Sequence, residues 1–251
     1  MTHWQGHADQ TLLKAEDKTL IWTEPLPDGG RAVVKMYRRR GFLDPLRRCF
    51  VPYRVEREFR LLARLHEAGV PCAEPLRWSH GRNRRHGRHE LLVTREIPST
   101  VPLRDLLRGD PASAPDLAPL FAIARRMHDA GVAHGAFYAP NVLATVPAAD
   151  PPRYHVIDLA HGCRFSHAIT GTPPADYDVL DMLRSIERVM PIDDRERWVA
   201  AYGLTRPGTA RLLGKLEGHK LERPWRHIRR AETDAREALD SLTHPGAQAR
   251  A

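Results

Sequence analysis

The run MHDAGVAHGAFYAPNVLATVPAADPPRYHVIDLAHG, from Met127 to Gly162, decides the fold. It reads as a helix end, a loop, a short strand, a turn and a second short strand. Gly131 should close the helix, because glycine is the usual residue just past a helix C-terminus. The loop His134-Gly135-Ala136-Phe137-Tyr138-Ala139-Pro140-Asn141 follows, then the apolar strand Val142-Leu143. Tyr154-His155-Val156-Ile157 is β-rich and delivers Asp158 at its end. An Asn just before one strand and an Asp just after its neighbour sit close together at one end of a hairpin. Such a pair offers hard oxygen ligands to a divalent cation, which is what Mg²⁺ on a nucleotide phosphate requires.

This spacing resembles the catalytic loop and metal-binding Asp of the protein-kinase fold, His-x-Asp-x-x-x-x-Asn followed by Asp-Phe-Gly. His134 and Asn141 match, and Asp158 matches the metal Asp. The position of the catalytic Asp is held by Ala136, and Asp158 is followed by Leu159-Ala160. No Asp or Glu occurs between Asp129 and Asp150, so no neighbour supplies the missing base.

Working outward toward the N-terminus, Lys18 to Thr23 and Arg31 to Tyr37 read as two strands around the turn Glu24 to Gly30. The second strand carries Lys35 in an apolar, β-branched setting. A buried ammonium needs a partner; alternatively Lys35 snorkels from an edge strand. Tyr53 to Glu67 reads as a helix closed by Gly69 and Pro71, with Val55, Phe59, Leu62 and Leu65 at helical spacing. Glu58 lies on that apolar face, whereas Glu56 groups with Arg60, Ala63 and Glu67, so Glu58 is the expected partner of Lys35. Leu76 to Trp78 and Glu90 to Ile97 flank SHGRNRRHGRH as a hairpin with a basic loop, and Pro102 to Leu107 begins a short helix.

On the other side, Asp116 to Asp129 is expected as a long helix facing inward through Leu117, Leu120, Ile123, Ala124 and Met127. Asp176 to Met190 is another, with Val179, Met182, Leu183 and Ile186 as its apolar stripe. Asp178 either braces the loop after Gly131 or is a helix-start Asp favoured by the dipole. Residues Asp194 to Leu242 read as helical, with breaks at Gly203, Pro207 and Pro224, and the last residues as frayed.

A chain of 251 residues can bury a substantial core and form one two-lobed unit. Its net charge is +8 and its pI near 9.8. Only five of its 39 basic residues are lysines, Lys14, Lys18, Lys35, Lys215 and Lys220. Excess Arg suits phosphate-rich partners, since its planar fork binds phosphate bidentately, or it reflects Lys-to-Arg replacement on a solvated surface. Arg38 to Phe50 mixes arginines with Phe and Leu and is either a contact for an anionic membrane surface or a plain exposed loop. Cys49, Cys72 and Cys163 have no CxxC spacing, which argues against a disulfide framework or a zinc site and fits a reducing cytoplasm. None of the 14 histidines falls in a metal-ligand spacing. No apolar run approaches the ~20 residues needed to span a bilayer, and MTHWQGHADQ lacks a signal-peptide core.

With Lys35, Glu58, His134, Asn141 and Asp158 met in that order, the chain resembles the lipopolysaccharide core kinase family of Gram-negative bacteria, the heptose and Kdo kinases with a protein-kinase-like fold. The similarity covers roughly Lys18 to Met190. It rests on Val33-Val34-Lys35-Met36-Tyr37, EREFRLLARLHEAGVPCAEPL, TREIPSTVPLRDLL, MHDAGVAHGAFYAPNVLA and VIDLAHG. The resemblance implies an α+β, bilobal protein-kinase-like fold. A small antiparallel-sheet lobe with one helix would span 1–97, and a larger, mainly helical lobe 98–251. It implies a cytoplasmic enzyme, at the inner membrane, that uses ATP and Mg²⁺ to phosphorylate a sugar hydroxyl of the lipopolysaccharide core or another anionic glycolipid. By position, Lys35 would contact ATP phosphates, Glu58 would hold Lys35, and backbone groups near Glu96 and Ile97 would hydrogen-bond adenine. Asn141 and Asp158 would bind Mg²⁺, and the basic loops near Arg38 to Arg48 and Arg82 to Arg88 would face the glycolipid or membrane. No GxGxxG covers the γ-phosphate; Asp28-Gly29-Gly30 is the glycine-rich turn. With Ala136 in place of the base, either His134, Tyr138 or a substrate group orients the acceptor hydroxyl, or the chain is a pseudokinase that binds nucleotide and a partner. Nucleic acid is not expected, since no recognition motif accompanies the charge.

Overall fold

The computed structural model describes residues 9–16, 18–39, 54–83, 87–109, 115–147, 153–190 and 194–217. Five strands, β1 (Thr11–Ala15), β2 (Thr19–Pro25), β3 (Arg31–Arg39), β4 (Pro75–Asn83) and β5 (Gly87–Arg95), form one sheet in the order β1-β2-β3-β5-β4. Every neighbouring pair is antiparallel. Side chains alternate across a strand, so β3 serves two cores at once. Ala32 and Val34 pack with Val93, Trp22 and Leu76 on one face. Lys35 and Tyr37 point to the other, where helix α1 (Arg54–Glu67) lies across the sheet through Val55, Leu61, Leu62 and Leu65. Phe59 is only half-buried and Leu61 takes the inward position beside it.

Two features of this sheet depart from the sequence expectation. Strand β1 was not foreseen, because all five of its residues are exposed and no buried alternation marks it. Its presence makes Glu16 to Lys18 the β1–β2 connection, whereas Asp28-Gly29-Gly30 forms the tight β2–β3 turn, closed by Leu26 N–H to Gly30 C=O at 2.8 Å. The basic stretch expected as a loop is mostly strand: β4 and β5 continue to pair through Gly81↔His89 and Arg82↔Arg88. An antiparallel ladder needs only backbone donors and acceptors, so a polar sequence with solvent on its outer face extends it freely. The segment expected to contact a membrane lies outside the described residues from 40 to 50, as do 84–86.

Beyond the sheet come β6 (Thr100–Pro102), α2 (Leu103–Leu107), α3 (Ala118–Asp129), β7 (Val132–Ala133), β8 (Val142–Thr145), β9 (Tyr154–Val156) and β10 (Cys163–Arg164). Helices α4 (Pro173–Glu187), α5 (Arg195–Ala201) and α6 (Arg206–Glu217) complete the described chain. β6, β8 and β9 form a three-stranded sheet, and β7 pairs with β10. The expected inward residues of α3 and α4 are all buried and share one core with α1. α4 begins at Pro173, three residues earlier than expected, since proline suits the first helical positions. Pro207 likewise sits in the first turn of α6, where a missing N–H costs no hydrogen bond, so it does not break that helix. The helical region expected after Glu217 lies outside the described residues.

Two backbone links among the described residues join the halves, beside the side-chain contacts between them. One is the connection from β5 to β6. The other is Pro71 to Ala73, which follows α1 and pairs with β9: Val156 N–H donates to Pro71 C=O at 3.0 Å, Ala73 N–H donates to Val156 C=O at 3.3 Å, and Cys72 bridges Val156 in parallel. This is an antiparallel-sheet lobe with one crossing helix joined to a larger, mainly helical lobe.

Candidate active site

Gly131 closes α3 as the sequence predicts, and its backbone explains why no other residue serves. Its φ is +74°, and a Cβ there would meet Phe165 O at 2.6 Å and His167 O at 2.9 Å. The chain then turns through β7 into the loop His134 to Asn141. Both oxygens of Asp178, wholly buried on α4, hold that loop by its backbone. Oδ2 accepts from His134 N–H at 2.6 Å and Oδ1 from Gly135 N–H at 2.8 Å. Of the two roles open for Asp178 the geometry fits the brace, for it lies in the second turn of α4, past the dipole's reach at the helix start. His128 joins the same carboxylate, Nε2 to Oδ2 at 3.2 Å, and its Nδ1 meets Tyr202 Oη at 2.6 Å.

His134 is fully buried, and its Nε2 donates to the Ile157 carbonyl at 3.0 Å. Burial holds its imidazole below the ordinary range, against the pull of Asp178. The neutral ring, sealed from solvent, positions the loop against the end of β9. Ala136 is 1% exposed, and its carbonyl accepts from Asn141 Nδ2 at 3.0 Å. That bond holds the amide by its nitrogen. Ile157 N–H donates to Asn141 C=O at 3.1 Å, which brings Asn141 beside the end of β9 where Asp158 emerges. Asp158 itself has φ +60° and ψ +61°, a left-handed conformation uncommon for a non-glycine residue.

Across the cleft, Lys35 Nζ stands 3.3 Å from Glu58 Oε1 and 2.6 Å from Asp158 Oδ1. Glu56 instead pairs with Arg60 along α1. Burial works against the Lys35 charge, but the Glu58 carboxylate, with Tyr37 and Asp158, more than offsets it and raises the ammonium well above its usual range. Burial would also raise Asp158, yet the Lys35 charge and hydrogen bond hold its carboxyl below the usual range. Glu58 is raised, because burial outweighs Lys35. The cleft therefore presents a permanent cation flanked by two carboxylates.

Three positioning contacts escaped the sequence reading. Glu90, buried on β5, accepts from Val55 N–H at 3.2 Å and so anchors the first turn of α1. Its alternation onto the same face as buried Leu92 was the available signal. Arg57 donates to Ala160 C=O at 2.9 Å, tying α1 to the turn after Asp158. Tyr37 lies beside Lys35 on β3. At the β5–β6 link, Glu96 N–H donates to Arg31 C=O at 2.8 Å and Thr100 Oγ1 donates to Ile97 C=O at 2.9 Å.

The sequence profile described as the "Lipopolysaccharide kinase (Kdo/WaaP) family" matches residues 3–202. The chain belongs to the Kdo/WaaP family. Among relatives of this Kdo/WaaP-family chain, the 3-deoxy-D-manno-octulosonic acid kinase of Actinobacillus succinogenes is 28% identical over 102 residues. That match spans 41% of this chain and 42% of the relative, less than half of either. Among solved structures, WaaP in complex with acyl carrier protein has a TM-score of 0.60 at 23% identity, over 82% of this chain and 85% of that one. The Rio2 kinase from Chaetomium thermophilum has a TM-score of 0.50 at 21% identity, over 90% and 71%. An amicoumacin kinase in complex with AMP-PNP, Ca²⁺ and Ami has a TM-score of 0.51 at 12% identity, over 89% and 76%. These likenesses establish the α+β, protein-kinase-like fold of the Kdo/WaaP-family chain.

Proposed function

We propose that the protein is a phosphotransferase that uses ATP and Mg²⁺ to phosphorylate a sugar hydroxyl of the lipopolysaccharide core or a related anionic glycolipid. The observation that carries this reading is the meeting of Lys35, Glu58 and Asp158 in one cleft, with Asn141 at the adjoining strand end. Family membership supports the reaction class, and the likeness to kinases supports the nucleotide.

The donor set fits Mg²⁺: a carboxylate and an amide oxygen are hard oxygen donors of the kind this ion takes. When bound, Mg²⁺ would supply positive charge against that of the phosphates. Asp158 and Asn141 would hold it. Lys35, kept cationic by Glu58, would orient the α- and β-phosphates, and backbone groups at Glu96 and Ile97 would meet adenine. The Glu96 N–H is already engaged by Arg31, which leaves that task to the remaining backbone groups there. Glu58 sets the height of the ammonium through α1, itself fixed by Glu90 and Arg57. A cytoplasmic location, with peripheral contact to an anionic inner-membrane face, accords with the excess of arginine. Among the described residues no helix is long and apolar enough to cross a membrane.

Ala136 favours a second reading, a pseudokinase that binds nucleotide and a partner without efficient transfer. A positioned base contributes about 10²–10⁴ in rate, whereas phosphoryl transfer depends chiefly on positioning and charge. Of the substitutes weighed from the sequence, His134 is sealed from the cleft, and half-buried Tyr138 or a substrate group remains to orient the acceptor. The test is ATP turnover with a core oligosaccharide acceptor, alongside Mg·ATP binding by calorimetry. The kinase reading expects slow phosphorylation in the native protein, about 10²-fold or more faster in Ala136→Asp. It expects Lys35→Ala to weaken Mg·ATP binding about tenfold or more, as loss of a charged hydrogen bond implies. Tight Mg·ATP binding with no phosphorylation would leave the pseudokinase reading, and unchanged binding in Lys35→Ala would end both.

A further inference from the structure

Among the described residues, Tyr37 Oη and Glu58 Oε2, both beside Lys35, have no hydrogen-bond partner and no access to solvent. Each such atom is unfavourable, since a buried polar group left unmatched loses its hydration without return. Tyr37 follows Lys35 by two residues on β3, so both side chains leave the same face of the sheet. Lys35 Nζ lies 5.2 Å from the centroid of the Tyr37 ring, and the Arg54 guanidinium carbon lies 4.3 Å from it. Arg54 and Glu58 are four apart on α1 and share a helix face. The ring is thus enclosed between Lys35 and the first turn of the helix that carries Glu58, and Tyr37 is 8% exposed.

The phenol keeps its proton, because burial first and the charge of Glu58 next push it well above its usual range. It therefore has a donor to give, and Glu58 Oε2 has an acceptor to fill. The present arrangement of Lys35 leaves both waiting, for the ammonium is drawn closer to Asp158 Oδ1, at 2.6 Å, than to Glu58 Oε1, at 3.3 Å. Phosphate in the cleft changes that balance. A bound nucleotide takes up part of the Lys35 donor capacity, and Glu58 then needs a second donor to remain ionised in a buried place.

We propose that Tyr37 is a positioning residue for the nucleotide site: its ring backs the Lys35 ammonium, and its hydroxyl is the donor held for Glu58 Oε2 when phosphate draws Lys35 across the cleft. The inference rests on the nucleotide reading given above. It assigns Tyr37, two residues beyond Lys35 on β3, to the phosphate side of binding, with no role at the adenine side.

The substitution Tyr37→Phe keeps the ring and removes only the hydroxyl, so three measurements on the full chain test it: thermal unfolding without ligand, Mg·ATP affinity and adenosine affinity. Without ligand, Tyr37→Phe should unfold at the same temperature as the native protein or slightly above it, because an unmatched hydroxyl has been deleted. Mg·ATP should bind about tenfold more weakly, while adenosine, which carries no phosphate for Lys35, should bind unchanged. Tyr37→Leu, which also removes the ring behind the ammonium, should weaken Mg·ATP further. Equal Mg·ATP affinity in Tyr37→Phe and the native protein would overturn the inference, as would a parallel loss of adenosine and Mg·ATP affinity, which marks general distortion. If the native protein itself fails to bind Mg·ATP, the nucleotide reading falls first and this role with it.

Discussion

At the scale of single residues, the cleft is governed by how burial and charge divide over three groups. The carboxyl of Asp158 is held low by Lys35, so the stability it contributes is present above the ordinary aspartate range near ~3.9 and is lost as pH falls through its lower folded value. Lys35 has the opposite sign: its contribution is present below the ordinary lysine range near ~10.4 and is lost only as pH rises through its higher folded value. Glu58, raised by burial, favours the folded state most when protonated and opposes Asp158 on the acid side. Asp158→Asn isolates one of these contributions. The difference in melting temperature between native protein and Asp158→Asn should be largest near neutrality and should close as pH falls below the ordinary aspartate range. A difference that stays constant down to strongly acid pH would show that Lys35 does not hold Asp158 ionised. The pairing of Lys35 with Glu58 was legible because helical spacing puts Glu58, and not Glu56, on the apolar face of α1, and Asn141 and Asp158 were legible as neighbours from their places at two strand ends. The sequence could not disclose that His134 is sealed or that Tyr37 and Glu90 face the same helix, since those facts depend on which elements stack.

At the scale of elements, the loop from His134 to Asn141 takes its shape from α4. Asp178 receives two backbone N–H groups and the ring of His128, all buried. Asp178→Ala would leave those donors unmatched and should destabilise the protein by about 3–5 kcal/mol, measured by urea unfolding. Asp178→Asn keeps one acceptor oxygen and should recover part of that loss. A change under about 1 kcal/mol in the Ala variant would mean that the loop is held by packing alone. Elements whose punctuation is local were legible in the sequence: Gly131 ends α3, Gly69 with Pro71 ends α1, and the apolar stripes of α3 and α4 are all buried. Elements defined by partners were not. The exposed β1 shows no periodicity, and the β4–β5 ribbon runs through a sequence so basic that it reads as a loop. Pro207 reads as a break because proline usually is one, except in a first turn.

At the scale of the whole molecule, charge and connection dominate. Arg82 and Arg88 are exposed and directly opposite on β4 and β5, where like charges repel, on a chain of net charge +8. If that ribbon faces an anionic surface, cosedimentation with vesicles containing phosphatidylglycerol should fall as salt rises past the Debye range. The double substitution Arg82→Glu with Arg88→Glu should reduce it more than tenfold, at about 1 kcal/mol for each basic group near the surface. Equal cosedimentation of native and substituted protein would assign membrane contact elsewhere or to none. The paired strap from Pro71 to Ala73 carries a mechanical consequence. Together with the β5–β6 passage it joins the lobes through backbone, and Arg57 on the Ala160 carbonyl adds a side-chain clasp. Displacing the sheet lobe would tear Val156 from Pro71 and Arg57 from Ala160, so the separation of Lys35 from Asp158 is guarded by bonds that neither residue makes itself.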